Sequence, residues 1–237
     1  MMKRVMIVGL AVSALAGASS AAPAAAPAYD PHDITGVWTQ NSRFQPGPYP
    51  LTPEYAAILK KREDDEKAGR PYVPGGDYCL PGPLIRMMTL PVAPIEITEI
   101  KGDRLVVTKP NGSIYRIYLK RGHLGPDDLN PGIYGDAVAH WEGDTLVVDT
   151  IGLGGSQDID GHTPHSDAMH VVQRIRRVAY DKLENRILIE DAKAFTRPVT
   201  GTVTYGLTPE IELGEFFCVN DRIRIRDDGS VGITPAK

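Results

Sequence analysis

The sequence predicts a mainly β fold: an antiparallel barrel or a strongly curved meander, with one short N-terminal helix. Three observations predict it. Runs rich in β-branched and aromatic residues recur at short, regular spacing from Ile95 onward. The chain carries 24 glycines and 20 prolines, the composition of a fold with many turns and few long helices. Only one segment shows helix signals, and a sheet with so little helix to cover it removes its exposed edges by closing on itself.

In chain order, Lys3 and Arg4 precede an apolar run from Val5 to Leu15 and the small residues Ser19-Ser20-Ala21. This is the layout of a secretory signal peptide, residues 1–21; a spanning helix needs about 20 apolar residues. An Ala/Pro-rich spacer covers 22–32, and a single barrel domain is expected over 33–237, with an irregular arm at 41–94. Asp33 to Thr39 reads as the first strand, with Gly36 permitting close backbone approach and Trp38 supplying a large core side chain. The helix begins at Thr52-Pro53-Glu54, with a cap, a first-turn proline and an acidic residue at the positive end of the dipole. Tyr55, Ile58 and Leu59 give it a narrow apolar stripe, Lys60 to Lys67 a charged solvated face, and Gly69 ends it.

Strands then follow at Ile95–Ile100, Arg104–Lys109 and Ser113–Lys120, the last two joined by a Pro110-Asn111-Gly112 turn that accepts positive φ. A Gly/Pro/Asp-rich loop, Arg121 to Gly135, leads to a hairpin of Asp136–Trp141 and Thr145–Thr150 around Glu142-Gly143-Asp144. Val171–Val178, Arg186–Asp191 and Thr200–Tyr205 complete the main set. A net charge of −4 argues against a nucleic-acid partner, and nothing after residue 21 is apolar enough to enter a bilayer. Cys79 and Cys218, far apart in an exported chain, are expected to form one disulfide.

Chemistry-bearing residues concentrate between Asp136 and His170, where four of the six histidines fall. Strand alternation puts Asp136, Val138 and His140 on one face, and Thr145, Val147 and Asp149 on one face of the returning strand. Imidazole titrates near neutrality, so His140, with His165 or His170, is a candidate acid–base group, oriented by Glu142 or Asp149. Trp141, Tyr118 and Arg174 are candidate substrate contacts, the last for an anionic group. His162, His165 and His170, interleaved with Asp160 and Asp167, are weaker candidates for a metal, because their spacing matches no standard ligand signature. Ser166 lacks a nucleophile elbow and reads as a cap at the entry of the following strand.

The string His140-Trp-Glu-Gly-Asp-Thr-Leu-Val-Val-Asp-Thr-Ile-Gly152 resembles the signature of a group of exported bacterial proteins. Asp33–Trp38, Cys79–Met88, Ile114–Tyr118, Pro164–His170, Arg174-Ile-Arg, Ile189–Ala192 and Phe195–Pro198 continue the likeness in order. Asp136-Ala-Val-Ala replaces the Gly-x-Ser those proteins commonly show before the signature, and Ala192 stands where they have proline. The resemblance implies a secreted, β-rich, calycin-like domain and no particular reaction. A Gly-x-Trp on the first strand, Gly36 to Trp38 here, also occurs in lipocalin-like barrels.

Together these residues point to a periplasmic or secreted enzyme acting on a small, partly apolar molecule at a barrel mouth. Its acid–base chemistry (lyase, isomerase or hydrolase) calls on no cofactor. A non-catalytic small-molecule binder is the alternative, and a metalloprotein built on the loop histidines the third.

Overall fold

The structure is a computed structural model that describes residues 27–70, 72, 81–91, 93–154, 158–214, 223–225 and 231–233. Its core is a closed nine-stranded barrel. The strands are β1 (Gly36–Gln40), β2 (Ile95–Ile100), β3 (Arg104–Thr108), β4 (Ile114–Tyr118), β5 (Asp136–Glu142), β6 (Thr145–Ile151), β7 (His170–Ala179), β8 (Lys182–Glu190) and β9 (Val199–Leu207). They pair in sequence order, and β9 returns to β1 through Trp38–Leu207 and Gln40–Tyr205. Two helices, α1 (Pro53–Lys67) and α2 (Leu84–Thr89), lie between β1 and β2; β10 (Ile223–Ile225) and β11 (Val231–Ile233) form a separate ribbon.

The mainly β barrel is the predicted fold class, with two departures. The pairing of β4 with β5 is parallel, Ile117 opposite Ala137 and Tyr118 opposite Val138, so the barrel is mixed. Parallel neighbours need a crossover rather than a tight turn, and residues 119–135 supply it by running back along the outside of the barrel. The second departure is α2, inside the arm read as irregular. Its six residues are too few to show a helical period, yet Leu84, Ile85, Met87 and Met88 are all buried.

One face of every strand fills the barrel. Trp38, Leu105, Val107, Tyr115, Ile117, Leu146, Val148, Ile175, Leu183, Ile187 and Val203 point inward and are almost fully buried. A polar contact sits among them: Thr150 donates to Tyr115 Oη (2.7 Å), whose own proton goes to Gln173 Oε1 (3.2 Å). Two devices close the ends. At one, α2 turns its C-terminal carbonyls inward, where Tyr205 donates to Met88 O, Gln40 to Thr89 O (2.7 Å) and Lys109 to Leu90 O (2.9 Å). Donors from β9, from β1 and from the residue just after β3 thereby satisfy groups a helix end leaves open. At the other, Arg177 lies 5.5 Å from the Trp38 ring and donates to the carbonyls of Asp33 (2.6 Å) and Tyr180.

α1 adds little to this core; none of its residues is buried, and Lys60–Asp64 and Lys61–Asp65 pair along its exposed face. Thr52 does not cap it with its side chain, donating instead to Lys193 O. No helix among the described residues is long and apolar enough to cross a membrane. The expected signal peptide (1–21), the first residues of the spacer, and Cys79 and Cys218 lie outside the described residues.

Candidate functional site

With the barrel filled, the grouped titratable side chains lie on its outer wall. The outward faces of β5, β6, β7 and β8 carry Asp136, Asp149, His170 and Glu190, and register brings the last three together. Asp149 is opposite Val172, two residues along β7 from His170, and His170 is opposite Glu190. The crossover lays Arg121 and His123 onto this wall. Arg121 binds Asp136 with both terminal nitrogens, at 3.2 Å for Nη1 and through a short Nη2 contact. His123 bridges Asp136 Oδ2 through Nδ1 and Asp149 Oδ1 through Nε2, both at 3.0 Å. His170 Nε2 meets the same Asp149 oxygen at 2.9 Å, and its Nδ1 meets Glu190 Oε2 at 3.1 Å.

The result is a chain of alternating carboxylates and imidazoles, Asp136–His123–Asp149–His170–Glu190, with Arg121 at one end. Asp136 is its buried member. Burial works against the ionised carboxylate, but bonds from Arg121, the Leu124 amide and His123 outweigh it and hold the carboxyl at about 2. An imidazole donates to two carboxylates only when both ring nitrogens carry hydrogen. All four ring nitrogens in the chain face a carboxylate, so a substrate reaches one only by displacing a partner.

Beside the Asp136 end lies a cleft of about 390 Å³, within the range of small-molecule sites. One wall is the outer face of β4, with Ile114, Arg116 and Tyr118; the other is the crossover, with Arg121, Leu124 and Leu129. The Arg121 guanidinium stacks 3.8 Å from the centre of the Tyr118 ring. The crossover is pinned from both sides: by the Asp136 bonds, and by Gly132, whose amide donates to Gly152 O at 3.0 Å. Leu129 packs on Gly152 so closely that a Cβ there would stand 2.9 Å from its Cδ1.

A larger cleft, about 510 Å³, opens beside α2 and is lined by Phe44, Tyr49, Leu90 and Asp160 among others. Its acidic group is already committed, Asp160 accepting from the amides of His162 and Thr163 and from the Thr163 hydroxyl. Burial pushes the Tyr49 phenol well above its usual range. The outer-wall cleft, which adjoins the carboxylate–imidazole chain and gathers Ile114 and Leu124, is the candidate site.

The residues singled out in the sequence divide into three places. Asp149 and His170 belong to the chain, and Tyr118 lines the cleft. His140 sits on the same wall but further along β5, exposed, where it meets Glu142 (3.2 Å), which also accepts from Arg174 (2.7 Å). Trp141 faces the other way, half-buried against the core with its ring 4.5 Å from that of His32. His165 is buried elsewhere; its Nδ1 donates to Ser166 O at 2.7 Å, and burial lowers its basicity. Ser166 is fixed by Asp191, which accepts from its amide and hydroxyl at 2.7 Å, in keeping with a structural role.

His140, His165 and His170 thus share no hydrogen-bond partner, and the structure does not gather them at a barrel mouth. Nor do His162, His165 and His170 converge: His162 lies against Glu66 of α1, at 3.2 Å. Among the described residues no three His, Cys, Asp or Glu are disposed to hold a metal ion. His123, Arg121, Asp136 and Glu190 were not singled out as site residues. Alternation already placed Asp136 on one face of β5 with Val138 and His140, but nothing in a Gly/Pro-rich loop marks His123 as reaching Asp149. Comparison with family models, curated proteins and solved structures gives no match for this chain.

Proposed function

We propose that this is an exported protein that binds a small, partly apolar molecule in the outer-wall cleft. One observation carries the reading. Of the six large hydrophobic side chains left exposed among the described residues, two, Ile114 (42%) and Leu124 (40%), line this single cleft. Exposed apolar surface gathered in a concavity and rimmed by polar groups marks a binding site more often than scattered apolar residues do. The pinned crossover supports it, because a preformed cleft loses little freedom on binding. Export is supported by the Lys3-Arg4 and Val5–Leu15 pattern, and N-terminal sequencing of protein from the periplasm or medium tests it. Kinship to calycins is supported by Gly36-x-Trp38 beneath Arg177, although the parallel β4–β5 pair departs from an up-and-down barrel.

A fragment screen read by NMR shifts tests the binding reading. Ligands should perturb crossover and β4 signals and lose affinity in Tyr118→Ala and Ile114→Ser. Ile100→Ser, exposed on β2, should bind as wild type. Hits that map elsewhere, or that ignore both cleft substitutions, sink the proposal.

Catalysis by acid–base transfer is the second reading, favoured by the chain from Asp136 to Glu190. It ranks second because each imidazole nitrogen already has a carboxylate partner. Turnover of a cleft ligand that vanishes in His170→Gln, with binding intact, would promote it.

A further inference from the structure

We infer that the ligand of the outer-wall cleft is a small carboxylate with an apolar body, and that Arg116 holds its charge. The inference rests on the cleft being a binding site and names what it binds. Of the charges along the two walls, two are already paired with each other. Arg121 is committed to Asp136, and Asp136 to Arg121, His123 and the Leu124 amide. Arg104, behind Tyr118, pairs with Asp103 at 3.0 Å. Arg116 lines the cleft, is exposed, and makes no hydrogen bond or ion pair among the described residues.

A guanidinium presents a planar fork of donors that matches a carboxylate in two parallel bonds. Here the fork stands between Ile114 and Tyr118 on one strand face, with apolar side chains of the crossover opposite. Asp128, on the crossover, is the other charge in the lining without an ion pair. It is the one internal competitor for Arg116, and the test therefore includes it.

The test uses matched pairs: benzoate, phenylacetate and cinnamate, each against its primary amide, titrated calorimetrically into the mature protein. Each acid should bind at least about tenfold more tightly than its amide. Arg116→Gln should bring acid and amide to the same affinity. Arg174→Gln, which removes an outer-wall guanidinium away from the cleft, should leave the preference intact, and Asp128→Asn should hold or strengthen it. Equal binding of acid and amide by the wild type, or an unchanged preference in Arg116→Gln, overturns the carboxylate assignment while leaving the cleft reading in place. Binding of neither member of any pair, with no Tyr118→Ala effect in the fragment screen, overturns both.

Discussion

Asp136 makes the outer wall a contributor to stability. Its carboxyl ionises near pH 2 in the folded protein and near pH 4 in an unfolded chain. The folded state therefore binds fewer protons between those values, and the stabilisation is present above about pH 4 and lost as pH falls toward 2. The depression corresponds to about 2 kcal/mol at neutral pH. Asp136→Asn should lower unfolding stability by roughly that amount at pH 7 and flatten the acid limb of a urea-denaturation series. A variant that loses stability in parallel with wild type down to pH 2 would remove Asp136 from this role. Residue-level reading of the sequence went some way here: alternation grouped Asp136 with His140 on one face of the first hairpin strand, and Asp149 with Val147 on one face of the second. It could not say that this face is the outer wall, because inward and outward are set by what the rest of the sheet encloses.

At the scale of elements, hairpins were the most legible. Asn111-Gly112 and Glu142-Gly143-Asp144 turn where expected, Gly143 at φ +56°, because a tight turn is decided by a few adjacent residues. The crossover and α2 were not, because both are determined by partners distant in sequence. α2 forms where Gln40, Lys109 and Tyr205 offer donors to the carbonyls at its C-terminal end, and the crossover lies where Gly152, just past β6, leaves room for it. Gly152 shows that dependence. It adopts φ +68°, and its missing Cβ is the space Leu129 occupies. Gly152→Ala should cost about 1–2 kcal/mol for the left-handed backbone alone. It should also displace Leu129 from the cleft, lowering the melting temperature and weakening cleft ligands together. Normal affinity in a destabilised Gly152→Ala protein would show that Leu129 does not shape the cleft.

For the whole molecule, barrel closure joins the first strand to the ninth, so the sheet is complete only when distant parts of the chain have met. Proteins dominated by such pairings fold in milliseconds to seconds. Refolding of the protein, followed by fluorescence of buried Trp38 in a Trp141→Phe background, should fall in that range, and a microsecond phase carrying the full amplitude would contradict it. The class of fold was legible at this scale, because turn density and the scarcity of helix leave a closed sheet as the economical solution. What the barrel's interior would hold was not: Trp38, Tyr115 and Tyr205 fill space that a sequence pattern leaves open to a guest.

The one parallel seam has a consequence for how such a protein can change over generations. Because the segment joining β4 to β5 travels over the exterior, one wall of the cleft belongs to the barrel and the other to a strap laid across it. Exchanging Leu124 or Leu129 in that strap would reshape the cleft without reaching the side chains that fill the interior, so its lining can diverge while the container stays the same.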